Sequence, residues 1–238
     1  MSDQNVAVIT GAGSGIGRAA ALALAEQDYA VVLAGRTESK LEQTAELITG
    51  QVGADHPVLT KPTDVTDAEQ AEELIDAATD EFGRLDVLVN VAGFAQVAPV
   101  EKSTPDLWRK MIDTNLSSVI YLTAAAWPVF KEQGNGMVVN ISSMAARDPL
   151  PGFALYGAAK VGVNMFTLMT AREGKDIGVK AVCVAPGAVE TEMLRGMFNE
   201  KTVPADQCLA PEDVAAVIRD CVTGDREFTS GESIFVNR

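Results

Sequence analysis

The chain of 238 residues is poor in the side chains that build metal sites and disulfide frameworks: one histidine, His56, and three cysteines, Cys183, Cys208 and Cys221, none in CxxC spacing. Scattered thiols in odd number close no framework, and a lone histidine before a proline anchors no zinc. No metal is therefore expected, and the thiols read as buried or idle in a reducing compartment. Acid–base chemistry, if there is any, falls to other groups. Positive charge is scarce too: 19 Lys and Arg stand against 33 Asp and Glu, a formal net charge of -14. Such a surface repels phosphate backbones and anionic lipid, so neither nucleic acid nor membrane is an expected partner. No apolar run approaches the roughly 20 residues of a spanning helix, and the opening MSDQNVAVIT has no basic stretch leading into an apolar one. A cytoplasmic location is expected. No linker, repeat or low-complexity tract divides the chain, so residues 1–238 read as a single domain.

What is present is a regular alternation. Short β-branched apolar runs at residues 6–10, 30–34, 58–60, 86–91, 137–141, 179–185 and 234–236 read as seven strands. Between them lie stretches with apolar residues at three- and four-residue steps, over 19–26, 41–48, 68–82, 107–131 and 154–172. Strands alternating with helices predict an α/β fold, a seven-stranded parallel sheet flanked by helices on both faces. In such sheets ligands collect outside the carboxyl ends of the strands, which directs attention to the residues after each strand.

The first strand runs into Gly11-Ala12-Gly13-Ser14-Gly15-Ile16-Gly17 and then an alanine-rich helix. Glycines permit a tight turn and close approach of backbone to a pyrophosphate, while the helix start offers unpaired N–H groups. Ile16 breaks a strict GxGxxG, so the strand–turn–helix setting carries the reading: a doubly wound, Rossmann-type dinucleotide site. After the second strand, Arg36 and Thr37 stand where a carboxylate would accept from an adenosine ribose. That favours NADP(H) over NAD(H), with a solvated or adenine-stacking Arg36 as the alternative. Asp64, with Val65, is free to meet adenine because Asp67 is better placed to cap the next helix. Asn90, Ala92 and Gly93 end the fourth strand with room for a nicotinamide ribose, or simply form a tight turn.

Tyr156 and Lys160, four residues apart, project from one face of a helix. They follow a strand that ends in Ser142 and Ser143. Together with TGAGSGIG at 10–17, DV at 64–65, NxAG at 90–93, Asn115, and PGxVxT at 186–191, this ordered set resembles the short-chain dehydrogenase/reductase family in its compact branch, over nearly the whole chain. Two positions depart from the family pattern: Val91 and Val182 stand where asparagines are common.

The resemblance implies an NAD(P)-dependent oxidoreductase moving a hydride between nicotinamide and a carbonyl or secondary alcohol. Tyr156 would be general acid and base, and Lys160 would hold the ribose and favour phenolate. Ser143 would hydrogen-bond the substrate oxygen, leaving Ser142 to bond at the strand end. Asn115 would hold a water linking Lys160 to solvent. Pro186, Val189 and Thr191 would bind the carboxamide.

By position, Ala95, Gln96, residues 144–147 including Ala145, Phe153 and residues 193–198 beginning with Met193 would line the substrate cleft, with a small lid around 190–207. Arg147 is its one anion-binding candidate, unless it pairs with Asp148 or another carboxylate. The resemblance further implies a homotetramer, a homodimer being the smaller option, built partly on the helices bearing Asn115 and Tyr156. A small-molecule carbonyl or alcohol is the expected substrate. Two alternatives stay open, a 3-oxoacyl thioester on a carrier and a non-catalytic NADP(H)-binding sensor or scaffold.

Overall fold

A computed structural model, which describes residues 4–238, carries the expected alternation as β1 (Val6–Thr10), α1 (Gly15–Ala25), β2 (Ala30–Gly35), α2 (Glu38–Gln51), β3 (Val58–Pro62), α3 (Ala68–Phe82) and β4 (Val87–Asn90). The second half runs α4 (Pro105–Ile112), α5 (Ser118–Gln133), β5 (Gly136–Ile141), α6 (Ala154–Gly174), β6 (Val179–Pro186), α7 (Glu192–Arg195), α8 (Pro211–Thr223) and β7 (Ser233–Val236). All seven strands pair in parallel in the order β3-β2-β1-β4-β5-β6-β7. The chain winds outward from β1 to β3, then returns to lay β4 on the other side of β1. That reversal opens a crevice at the carboxyl ends of β1 and β4.

Both faces of the sheet are covered, which is why its strands read as unbroken apolar runs. Ala7 and Ile9 of β1 pack towards α1, α2 and α8, while Val6 and Val8 pack towards α3 and α5. Helix α3 shows how local chemistry sets an element. Ala71, Leu74, Ile75 and Ala78 give it one buried face, and the Asp67 carboxylate accepts from the N–H groups of Glu69 and Gln70 at its start. Gly83 ends it in the left-handed region, at φ 78°.

The stretch 107–131, expected as one helix, is two. Residues Asp113–Ser117 widen into a π-helical turn between α4 and α5. The wider turn frees the Met111 carbonyl, and the Asn115 side chain takes it, Nδ2 donating at 2.9 Å. The helical stretches named from periodicity also omit α8, which packs on α1 and opens with Pro211, Glu212 and Asp213 in its first turn.

Candidate active site

Two cavities open along the carboxyl edge of the sheet and share Gly93 and Met193 in their walls. The first, about 680 Å³, is lined by Gly11, Ser14, Arg36, Asp64, Val65, Ala92 and Gly93 among others. Its floor is the glycine turn, where Gly11 lies at φ +66° with Ala92 backbone 3.1 Å from any added Cβ. Thr10 joins the two strands of the crevice, its Oγ1 accepting from the N–H groups of Val91 and Ala92 at 3.0 and 3.1 Å. Ser14 occupies the N-cap of α1 in extended conformation, yet its hydroxyl bonds no helix N–H. The first-turn donors thus face the cavity, the arrangement an anion takes up.

Arg36 projects at the far end, exposed, and among the described residues no hydrogen bond or ion pair engages its guanidinium. Lys40, one turn into α2, reaches across instead to Glu192 of α7 at 2.8 Å. Sequence reading missed this pair, since its members lie 152 positions apart. The Asp64 carboxylate closes its own turn, accepting from Thr66 N and Oγ1 at 3.0 and 2.7 Å. Asn90 lines neither cavity. Its buried amide donates to Asn140 Oδ1, and Asn140 to Thr167 Oγ1, each at 2.9 Å. This chain of bonds ties β4 and β5 to α6, so Asn90 positions the helix that carries Tyr156 and Lys160.

The second cavity, about 540 Å³, gathers Asn115, Ser143, Tyr156 and Lys160 with Ile16, Pro186, Val189 and Thr191. Ser143 stands extended at the end of β5, its Oγ accepting from Ala145 N at 3.2 Å, which leaves its proton to donate elsewhere. The Tyr156 phenol lies beside that hydroxyl. Burial raises its pKa above the ordinary 10.0, and the hydrogen bond with Ser143 partly offsets the rise. Lys160, only 3% exposed, donates from Nζ to Ile141 O at 2.7 Å. A methyl on Gly93 would stand 3.0 Å from Asn115 Oδ1 and 3.9 Å from Lys160 Nζ, so the bare glycine leaves the space between them open.

Burial brings the Lys160 pKa down to about 8, the nearby Cys183 sulfur opposing the change. Burial pushes the Cys183 thiol itself up to about 11, so it is neutral where Lys160 titrates. Because the folded-state value of Lys160 lies below 10.5, the cost of burying the ammonium is present in full below about pH 8. That cost is relieved as pH rises from about 8 towards 10.5. Unfolding of wild type and Lys160→Met at pH 7 and pH 10 should therefore show wild type gaining on the variant by on the order of 1–3 kcal/mol. The lost bond to Ile141 O cancels in that comparison. A difference independent of pH would mean that burial leaves the Lys160 pKa at its unfolded value.

The Asn115 side chain is spent on protein groups. Both amide hydrogens are taken, by Phe94 O at 2.7 Å and Met111 O at 2.9 Å, and Oδ1 accepts from Phe94 N. The expected water link through this residue could not use its side-chain donors; the residue instead clamps the loop after β4 to the π-turn. Ser142 Oγ donates to Lys160 O at 3.2 Å, the strand-end bonding expected of it.

Among the expected cleft residues, Ala95, Ala145, Phe153 and Met193 line the second cavity, whereas Gln96 is exposed outside it. Arg147 also departs from expectation: its guanidinium lies 4.1 Å over the Phe235 ring rather than on a carboxylate, and it is not in the cavity wall. Asp148 is in that wall.

The segment 190–207 is pinned at its base by pairing of Val189 with Leu209 and stitched internally by Arg195. That side chain bonds the Glu190 carboxylate and the Val203 carbonyl, the latter at 2.8 Å. Phe198 in this segment stacks on Phe153 at 6.0 Å, and Phe153 meets Tyr156 edge-on at 5.8 Å. Thr191 caps α7, accepting from Leu194 N.

The family model for short chain dehydrogenase matches residues 5–202. An uncharacterized oxidoreductase of Staphylococcus aureus (strain USA300) is 36% identical over 228 residues, 95% of this chain and 94% of that protein. Among solved structures, actinorhodin polyketide ketoreductase with NADPH is 28% identical with TM-score 0.91, over 99% of this chain and 96% of the other. 3-Ketoacyl-(acyl-carrier-protein) reductase from Brucella melitensis, complexed with NADH, is 28% identical with TM-score 0.89, over 99% and 98%. The family match runs through every strand from β1 to β6, and the chain therefore belongs to the short chain dehydrogenase family of oxidoreductases.

Proposed function

We propose that this chain reduces a carbonyl, or oxidises the corresponding secondary alcohol, of a small apolar molecule using a nicotinamide cofactor, NADP(H) in preference to NAD(H). The observation that carries the reading is the junction of the two cavities at Gly93 and Met193. A polar cavity built on a glycine turn and open helix donors meets there an apolar one in which Tyr156 and Ser143 face the same space. The first fits a dinucleotide: the turn has no room for side chains, the first-turn N–H groups of α1 have no side-chain cap, and Arg36 stands free for a phosphate.

When bound, the cofactor supplies the hydride for reduction and accepts it in oxidation. Ser143 donates its free proton to the substrate oxygen and so stabilises negative charge as it develops there. Tyr156 Oη gives its proton to that oxygen in reduction and takes it back in oxidation. Burial holds the phenol's pKa above its ordinary value, which favours the proton-bearing form needed as an acid, while oxidation needs phenolate and should quicken as pH rises. Lys160, held by Ile141 O, sets its positive charge behind the phenol, 5.7 Å from the ring centre, and lowers the cost of that phenolate. The lid and Phe153 exclude water from the reacting groups.

Parallel binding titrations with NADPH and NADH, followed by turnover of a carbonyl panel, test the proposal. Arg36→Ala should weaken NADPH roughly 10- to 100-fold while changing NADH little, because only the 2′-phosphate is lost to it. Glu192→Gln should move the ratio the other way by freeing Lys40. Equal effects on both cofactors would remove the NADP preference. Binding without turnover of any carbonyl would favour a sensor.

The chain is further proposed to work in the cytoplasm as a homotetramer or homodimer. Val161, Met165 and Met169 form an exposed apolar stripe along α6, 50%, 58% and 39% accessible, beside Ile120 and Tyr121 of α5. A second copy would bury this face. Met165→Glu should lower the mass found by light scattering; an unchanged mass would place the interface elsewhere or leave a monomer.

A further inference from the structure

We propose that Asp148 sets the charge class of the substrate, so that the cavity takes neutral or amine-bearing apolar carbonyl compounds and rejects those carrying a carboxylate or phosphate. The inference rests on the reading of the second cavity as the substrate site. Beyond Ser143 and Tyr156, a substrate there meets Met144, Leu150, Phe153, Met197, Phe198 and Val203, none of which can compensate a charge.

Among the described residues, only two ionisable side chains other than the phenol stand in the lining, Lys160 and Asp148. Lys160 is buried, bound to Ile141 O and 5.7 Å from the centre of the Tyr156 ring. Asp148 is exposed, and among the described residues no hydrogen bond or ion pair engages its carboxylate. The neighbouring cation that could have reversed the sign is turned away: Arg147 is occupied by the Phe235 ring and the Met144 sulfur. An anionic substituent entering this cavity therefore loses its hydration and gains a like charge. At a partly wetted site that repulsion amounts to roughly a tenfold loss of affinity.

The same features weigh against an acyl group delivered on a phosphate-bearing carrier arm. The net charge of -14 adds to the repulsion of an acidic carrier.

The test uses three acetophenones that differ only in the para substituent: methyl ester, carboxylate and aminomethyl. Calorimetry reads their binding to wild type, Asp148→Asn and Asp148→Glu, with the full chain and saturating NADP+, which cannot reduce the ketones, at low and high salt. In wild type the carboxylate is expected to bind about tenfold or more weakly than the ester, and added salt should narrow the gap. Asp148→Asn should close most of the gap and weaken the aminomethyl compound, while Asp148→Glu should keep it. The proposal is overturned if carboxylate and ester bind wild type alike, if the gap is unchanged in Asp148→Asn, or if the ester does not bind. Turnover is scored separately. The expected order of binding with no turnover of any of the three supports the charge filter and sinks the oxidoreductase reading of the cavity.

Discussion

Tyr156→Phe is expected to lower kcat/KM for carbonyl reduction by about 10²- to 10⁴-fold, the range that a positioned acid contributes. The substitution removes one oxygen and nothing else. The ring keeps its edge contact with Phe153 and its place in the wall, so the fold should be undisturbed. Burial raises the phenol's pKa, so the native protein gains nothing from ionising it below pH 10, and no stabilising charge is lost with the hydroxyl. Thermal unfolding should coincide for the two proteins, and NADPH titrations should show that the cofactor still binds. Stopped-flow or steady-state loss of NADPH absorbance then isolates the proton transfer. Turnover within tenfold of wild type would assign the proton to another group and leave Tyr156 a packing residue. In the oxidation direction, wild-type activity should climb with pH towards the phenol's raised pKa, and the variant's residual activity should not.

An equally large effect is expected from a single methyl at Gly17. A Cβ there would stand 2.2 Å from Gly11 O, 2.6 Å from Gly11 C and 3.0 Å from Ala12 N. These are backbone atoms of the turn itself and cannot swing aside as a side chain could. Gly17→Ala must therefore push the start of α1 away from the glycine turn, misplacing the donors that face the cavity. Overpacking of this kind costs about 1–3 kcal/mol, and cofactor affinity should fall by two orders of magnitude or more, since the loop's only function in this reading is close approach. Gly50, in the last turn of α2, has nothing within 4 Å of a built Cβ and provides the counter-case. Gly50→Ala should stabilise by about 0.5–1 kcal/mol through helix propensity, with cofactor affinity intact. Calorimetric unfolding and NADPH titration of both variants check the pair. Cofactor binding by Gly17→Ala at wild-type strength would mean that the turn tolerates a shift the packing does not allow.

The parts of the site that lie on one element, or at the end of one strand, were legible without coordinates. A strand buried on both faces can only be an apolar run, so β1 and β6 announced themselves within a residue or so. The glycine turn is confined to residues 10–17, and Tyr156 and Lys160 share a face through helical geometry alone. Residues whose meaning depends on a distant partner were not legible. Asn90 sits in the expected motif, yet its amide faces Asn140 and Thr167. Asn115 was expected inside one continuous helix, while it stands in a π-turn and donates to Phe94 O in the loop after β4.

Sequence by itself determined the alternation of elements, the parallel sheet and the phenol–ammonium pair, because each follows from periodicity or from spacing within one segment, while the family was legible as the resemblance of an ordered set of motifs along the chain. Tertiary structure alone decided the partners of Lys40 and Glu192, the stitching of Glu190 and Val203 by Arg195, and the exclusion of Gln96 from the cavity. It also decided which of two adjacent residues, Arg147 and Asp148, enters the wall. Neighbouring loop residues send their side chains in directions set by backbone turns and by whatever ring or charge packs nearby. Here Phe235, on the last strand of the sheet, holds the guanidinium of Arg147 and leaves Asp148 in the wall of the second cavity.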